Sequence, residues 1–530
     1  MQDPVDFVSR ELKNAVAVGA VSADRARLWL RAEPPGELEV TVLRDGGARA
    51  GGGGPAGREV VARGRVVVPA EGGADGTLAL TLPDGLAGGA GALQPLTAYR
   101  VEVARAGGGE PLGAARFETA PRGPDDAPAS FCFGALSCHQ PFDDDGRLLP
   151  ESLRMLRATR RALRERGCKF VLLMGDQIYS DHPPRFSLFD DDFFRRVAPP
   201  GRRSILECSA AEVRALYQQK HRVFWGCEEI RKLQAEFPCY PMMDDHEIVD
   251  NFGSDPRHGL PEWRALRAGA LAAFYDYQGS RVLAAPPEPP PPEGDFHYAF
   301  SYGPCSLFVM DLRSSKLTTE RATRVYAPAQ FAALERFLAA SAGQKVVFLV
   351  ATVPLIYTDS WLVDAAVAVV GEGTDAADRW NHAKSLDQRD LLLALLHAHH
   401  QRHPRQRLVL LGGDIHVGCA FRVEWEGGGP PLLQFTSSAV SNRQGLLAKR
   451  VAELLPRAAF GVDVQGGLRG RVDLVEGVEG ASRNPYGGLN AGIVHVDASG
   501  PEASVEFELI GIDDEGDSDE PRTVYRTGPV

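Results

Sequence analysis

Four apolar runs in the chain break off abruptly into polar clusters. One passes from Phe133 to Leu136 and ends at Ser137-Cys138-His139. The next runs from Phe170 to Met174 and ends at Gly175-Asp176-Gln177-Ile178-Tyr179. A third, from Tyr240 to Met243, ends at Asp244-Asp245-His246-Glu247. A fourth, from Leu408 to Leu411, ends at Gly413-Asp414-Ile415-His416. Short continuous apolar runs suit strands buried on both faces. The full set of such runs is 130–136, 169–174, 237–243, 305–310, 346–350 and 408–411. Arg/Leu-rich helical stretches such as 152–166 and 330–340 lie between them, which predicts an α/β domain. Ligands of open α/β sheets gather beyond the carboxyl ends of the strands. The chemistry is therefore expected at these four ends.

The first 120 residues have another texture. The segments 27–31 and 37–42 alternate with period two, as half-buried strands do, and glycine-rich turns separate them. The run Leu93-Gln94-Pro95-Leu96-Thr97-Ala98-Tyr99 enters a further alternating strand. It resembles the tyrosine-corner strand of fibronectin type III and immunoglobulin-like sandwiches. The expected organisation is a β-sandwich at 1–120, a Pro/Gly/Asp linker at 121–130, a catalytic domain at 131–512 and an acidic tail at 513–530. Its acidic run, Asp513 to Glu520, is expected to be solvated and disordered. The span 185–236 reads as a polar helical lid or insertion, and the proline-rich 284–294 as a stiff surface loop. The sandwich offers no catalytic cluster and reads as a packing or orienting module.

Lys plus Arg is 58 and Asp plus Glu is 70, a formal net charge of −12. That balance gives no electrostatic route to bulk nucleic acid or to an anionic membrane surface. Small anionic substrates stay open, because a local metal cluster overrides net charge. No segment holds the ~20 apolar residues of a membrane helix. The start, Met1-Gln2-Asp3-Pro4-Val5, has no basic region, apolar core or twin-arginine pair, so a cytoplasmic location is expected. The 8 cysteines are scattered without a Cys-x-x-Cys pair and are expected to be buried thiols, Cys138 excepted. There is no Walker loop and no Gly-x-Ser-x-Gly elbow, which disfavours an NTPase or a serine hydrolase. The oligomeric state is left open.

A single Gly-Asp after a strand is as well explained by a helix cap. Four strand ends together are not, since three carry a His, Tyr or Cys that no cap requires. A two-metal centre accounts for them. Such centres hold two cations ~3.5–4 Å apart and clamp both oxygens of an in-line displacement at phosphorus. A carboxylate must bridge the pair, and an Asp on a central strand end suits that. The Cys and Tyr on one side suit a stronger Lewis acid such as iron.

The four motifs, in this order, resemble those of the calcineurin-like metallophosphoesterases, and most closely the alkaline phosphatase D (PhoD-like) family. The resemblance implies two mixed β-sheets between helices in a four-layer sandwich, preceded by a small β-sandwich. It implies Asp176 as the bridging ligand, with Cys138, Tyr179 and His416 completing an Fe3+-like site. Asp245 and Asp414, with Asn251 as a further oxygen ligand, serve a Ca2+-like site. His246 is implied as the general acid and Glu247 as its orienting partner. The implied reaction is hydrolysis of small phosphomonoesters or phosphodiesters by a metal-bound hydroxide. Asn381-His382-Ala383, after Asp378-Arg379-Trp380, stands where the family reads Asp-Gly-Tyr, and 17–22 lacks the usual Gly-Asp. The alternative is a metal-binding scaffold that has lost catalysis and acts by partner binding. A nuclease or phospholipase D-like esterase on the same metals is a narrower option.

Other residues have blander readings. His139 is expected to be a solvated neighbour, and Asp181-His182 a loop near the substrate. His397, His399, His400 and His403 read as a polar helix end. Arg195-Arg196 and Arg202-Arg203 read as a solvated helix face.

Overall fold

The computed structural model describes residues 11–45, 58–86, 92–370, 374–445, 449–450, 453–454, 460–513 and 517–530. The alternating segments at the start pair as two antiparallel sheets. One has the order Ala15–Val21, Ala26–Arg31, Thr77–Leu82. The other has the order Glu59–Val68, Gly36–Arg44, Ala98–Arg105, Pro111–Glu118. Leu38, Val40 and Val42 turn inward while Glu37 and Glu39 turn out, the period-two consequence of a sheet with one wet face. The tyrosine corner is present: Tyr99 Oη accepts the Gln94 N–H at 2.8 Å.

After the linker the chain builds two mixed sheets. The first has seven strands, in the order Cys239–Met242, Val171–Met174, Ser130–Leu136, Ala491–Asp497, Ser504–Gly511, Arg522–Thr527, Gly477–Ser482. Its first three strands run parallel. The second has eight, in the order Tyr298–Tyr302, Cys305–Val309, Val346–Val350, Arg407–Gly412, Leu432–Thr436, Cys419–Trp425, Leu468–Leu474, Phe460–Val464. Cys305–Val309, Val346–Val350, Arg407–Gly412 and Leu432–Thr436 are mutually parallel. The sheets meet through aromatic side chains: Phe133 meets Phe348 edge-on at 5.3 Å, and Phe435 stacks on Phe507 at 4.9 Å. Helices Pro150–Arg166 and Glu228–Glu236 bury Met155, Leu156, Leu163, Ile230 and Leu233 against the other face of the first sheet. Pro328–Ala340 and Leu386–Arg402 do the same for the second through Leu334, Leu338, Leu392 and Leu396. The helix at 150–166 starts on Pro150, whose missing N–H costs nothing in the first turn. It stops at Gly167 in the left-handed region.

Two expectations are corrected. The span 185–236 is not a lid: helix Ala210–Trp225 packs along Trp263–Tyr277 and ties the sandwich to the second domain. Trp225 meets Trp29 of the sandwich edge-on at 5.8 Å, and Arg222 pairs with Glu11 and Asp75. The 513–530 segment is not a disordered tail. Arg522–Thr527 pairs with Ser504–Gly511 and Gly477–Ser482, with Tyr525 fully buried, and Asp519 and Glu520 pair with Arg157 and Arg161. Residues 514–516 lie outside the described residues. All eight cysteines are buried and unbridged, as buried thiols should be. Among the described residues, no helix is long and apolar enough to cross a membrane.

Candidate metal centre

Parallel pairing carries the ends of Ser130–Leu136, Val171–Met174 and Cys239–Met242 to one edge of the first sheet. The end of Arg407–Gly412 arrives from the second sheet. Glycines let these ends touch. A Cβ on Gly175 would lie 2.4 Å from that of Asp244, and one on Gly413 would lie 2.6 Å from that of Ser137. Cys138, Asp176, Asn251, Asp414 and His416 all have φ between 55° and 60°. Left-handed backbone at a residue other than glycine costs roughly 1–2 kcal/mol. Five such residues in one place mark a locus where the surrounding fold holds each side chain in a disfavoured aim.

Among the described residues, four groups of ligand atoms result, each with all its members within 4.8 Å of one another. Cys138, Asp176 and His416 form one, Asp176, Asp244, Asp245 and Asp414 a second, Asp176, Asp245 and His246 a third, and Asp181, His246 and Asp250 a fourth. Asp176 belongs to the first three. Its Oδ2 lies 3.3 Å from both the Cys138 Sγ and the Tyr179 Oη. Asp176 Oδ1, Asp244 Oδ2 and Asp245 Oδ1 are buried with no hydrogen-bond partner. Burial, then Cys138 and the neighbouring carboxylates, push the Asp176 carboxyl well above its usual range. Burial pushes Asp244 up to about 8 although Arg313 opposes it. Burial also raises Asp414, against the pull of Arg379. Partnerless buried carboxylate oxygens are costly, and cations are what such a set accommodates. A thiol, a phenol, an imidazole and four carboxylates in one buried cluster therefore fit a pair of metal ions.

Asn251 accompanies this set. Its backbone N–H donates to Asp245 Oδ2 at 2.6 Å, and its Nδ2 donates to Asp250 and Asp375. His246 stands beside Tyr179, ring centroids 4.0 Å apart. Its Nδ1 is hydrogen-bonded to Asp181 Oδ1 at 2.8 Å. Burial opposes the imidazolium, but Asp181 and Asp245 raise His246 to about 10. Glu247 does not orient His246. Its carboxylate accepts the backbone N–H groups of Asp176, Gln177 and Asp244 at 3.0, 2.7 and 2.9 Å, and Gln278 Nε2 at 3.0 Å. It ties two strand ends together and faces away from the histidine.

A family model of the PhoD-like phosphatases matches residues 133–454, more than half of the chain. The chain belongs to the PhoD-like phosphatases. A solved structure of PhoD matches 96% of this chain and 91% of that one, with a TM-score of 0.61 and 15% identity. That likeness shows the fold. A GH3 beta-glucosidase of Bifidobacterium adolescentis covers 20% of this chain and 17% of that chain at 16% identity, with a TM-score of 0.13. A putative beta-galactosidase of Bacteroides fragilis covers 95% of this chain and 72% of that chain at 7% identity, with a TM-score of 0.22. Neither of these two bears on the fold. No curated protein matches the sequence.

This PhoD-like chain surrounds its candidate ligands with a buried network that sequence reasoning missed. Arg313 forks onto Asp378 at 2.6 and 2.7 Å and reaches Asp244 through Nε; Lys316 also pairs with Asp378. Thr352 Oγ1 donates to Asp244 at 3.0 Å, and Arg379 pairs with Asp414. Asn442 donates to the Tyr179 oxygen at 3.0 Å, and Ser438 Oγ lies 3.0 Å from Cys138 Sγ. Asn381 is turned inward, donating to the Thr358 carbonyl at 2.6 Å. His139 is not solvated: it is buried, with Nδ1 3.0 Å from Ser441 Oγ, and burial lowers it to about 4. His399 and His400 bond to Gln406 and lock the end of their helix. A polar pocket of about 730 Å³ opens beside His416, lined by Arg154, Asn442, Arg443 and Lys449.

Proposed function

We propose that the protein hydrolyses small phosphate esters, mono- or diesters, at a dinuclear metal centre built on Asp176. The observation that carries this reading is the sharing of Asp176 by three of the four ligand groups, with three buried carboxylate oxygens left without hydrogen bonds. Cys138, Tyr179 and His416 would hold one ion with Asp176; Asp244, Asp245 and Asp414, with Asn251, the other. The softer first set suits ferric iron and the all-oxygen second set calcium. When bound, the two ions supply Lewis acidity to the phosphoryl oxygens and lower the pKa of water. The four-layer order of helices outside two sheets belongs to the same proposal and is supported by the separate apolar clusters on each sheet's outer face.

The chain's own residues divide the remaining work. His246, kept protonated by Asp181 and Asp245 against the cost of burial, donates to the leaving alkoxide. Asp181 holds the ring by Nδ1, which leaves Nε2 as the donating atom. Arg313, Thr352 and Arg379 fix the rotamers of Asp244 and Asp414. Glu247 keeps the two strand ends in register.

The test is hydrolysis of a chromogenic phosphomonoester and the matching diester by protein purified without chelator. Both activities, or the one present, should vanish in Asp176→Asn. His246→Gln should lose about 10²- to 10⁴-fold in kcat. An Asp176→Asn variant with unimpaired turnover would sink the mechanism.

A further inference from the structure

The strand that delivers Cys138 to the metal centre carries a second reactive group at its other end. Cys132 lies six residues earlier, about 20 Å away along an extended strand. Antiparallel pairing sets His495 directly opposite Cys132. On the other side, the Lys169 N–H donates to the Cys132 carbonyl at 2.9 Å and brings Cys168 alongside. The two sulfurs are 3.3 Å apart. His495, opposite Cys132, is hydrogen-bonded through Nε2 to Glu508 at 2.8 Å. Glu508 is buried and also accepts from Arg166 at 2.9 Å and Thr523 at 2.6 Å. A thiol, an imidazole and a fixed carboxylate thus stand in a row, with a second thiol against the first.

Both residues are buried yet border surface pockets. Cys132 lines a surface pocket of about 310 Å³ beside His495, Arg166 and Lys169, and Cys168 lines another of about 360 Å³. No part of the phosphatase centre uses any of these groups.

We propose that Cys132 and Cys168 are a redox-active dithiol, with Cys132 attacking a small hydroperoxide and Cys168 resolving the product. With hydrogen peroxide, the Cys132 sulfur takes one oxygen as the O–O bond breaks. The departing hydroxide takes the proton held by His495 and leaves as water. Cys168 then attacks the sulfenic sulfur, the S–O bond breaks, and a second water carries off the thiol proton. Two thiols and one peroxide give one disulfide and two waters, the sulfurs losing the two electrons that the peroxide gains. The sulfurs need approach by only about 1.2 Å to reach a disulfide bond length, within reach of side-chain rotation. Electrostatics support the division of labour. Cys168, and after it His495, hold the Cys132 thiol down at about 6 against burial, while Cys132 and burial push the Cys168 thiol up. In its protonated form, Cys132 donates instead to the Arg166 carbonyl at 3.2 Å.

The experiment treats the full-length protein with hydrogen peroxide at neutral pH, alkylates the remaining thiols in denaturant, and maps the peptides by mass spectrometry. A Cys132–Cys168 cross-link, forming before any change at the other six cysteines and reversed by dithiothreitol, is the expected result. In Cys168→Ser, Cys132 should stop at a sulfenic acid that dimedone traps. His495→Gln should slow the wild-type cross-linking on the order of tenfold by raising the Cys132 pKa. Both thiols still alkylatable after another cysteine has oxidised would overturn the proposal. So would irreversible sulfinic acid at Cys132 with Cys168 still reduced in the wild type.

Discussion

Asp181 illustrates how one carboxylate positions the proposed general acid, His246. Oδ1 bonds His246 Nδ1 at 2.8 Å, while Oδ2 accepts the Asp250 N–H at 2.6 Å and fixes the carboxylate's own rotation. Changing Asp181→Asn keeps the shape and removes the charge. The expected result is a fall in kcat of about 10- to 100-fold with KM little changed, read from steady-state kinetics on the better ester. A KM rise at constant kcat would show that Asp181 only binds substrate. Glu247→Gln should behave otherwise. Its amide N–H₂ would face backbone donors, costing about 1–3 kcal/mol of stability, seen as a lowered denaturation midpoint. The candidate ligands Cys138, Asp176, Asp245 and Asp414 were legible in the sequence because each lies within two or three residues of the end of an apolar run. The groups that hold them were not. Arg313 and Asp378 are 65 residues apart, and Asp181 and His246 also 65. No local pattern joins such pairs; only the closed fold does. Asp245 was singled out in the sequence, whereas the structure brings both adjacent carboxylates, Asp244 and Asp245, into the cluster.

The elements that join the two domains rest on a stacked arginine. Arg281 is fully buried between Trp29 of the sandwich, 4.3 Å from its guanidinium carbon, and Trp225 of helix Ala210–Trp225, at 4.4 Å. Cation–π contact of a desolvated guanidinium is worth about 2 kcal/mol or more. The backbone of Arg281 also lies against strand Ala15–Val21, where a Cβ on Gly19 would sit 2.1 Å from its carbonyl oxygen. That atom is main chain and has no free rotor to move aside. Gly19→Ala is therefore expected to destabilise the protein by about 1–3 kcal/mol, measured by chemical denaturation. An unchanged midpoint would mean that the two domains are not held at this point. The strands here were legible from their period-two alternation, and the tyrosine corner from its spacing. The role of 210–225 was not. Its apolar residues are interrupted by polar ones along the helix, and what they cover is a tryptophan some two hundred residues earlier.

At the scale of the whole molecule, the C-terminal strand and the buried acids decide stability. Arg522–Thr527 lies between two strands of the first sheet, so a chain cut after Asp513 should be insoluble or proteolysed, whereas a disordered tail would be dispensable. Its acidic neighbours hid this strand from composition-based reading, although Thr523-Val524-Tyr525 is a β-branched and aromatic run. The metal centre makes a second demand on the whole fold. Without cations, burial holds Asp244 up near about 8, and Asp176 and Asp414 also above the usual carboxyl range. A carboxyl raised in the folded state takes up protons on folding, so its penalty grows as pH rises from about 4 towards 8. His246, raised to about 10, contributes stability that is complete below about 6.5 and lost as pH climbs towards that value. Asp181, lowered to about 2 by His246 against burial, contributes above about pH 4 and is constant across this window. The raised carboxyls and His246 share one sign, while His139, lowered to about 4 by burial, and Cys132, held down at about 6, act in the opposite sense. The carboxylate contribution is therefore read from the difference between metal-loaded and chelated protein: the stabilisation by metal should be larger at about pH 8 than at about pH 5, since bound cations remove the carboxylate penalty. Thermal unfolding with and without chelator at the two pH values reads this directly. A metal-induced rise in midpoint that does not grow with pH would show that these carboxylates are not held above their ordinary range, and would remove the electrostatic case for a cation among them.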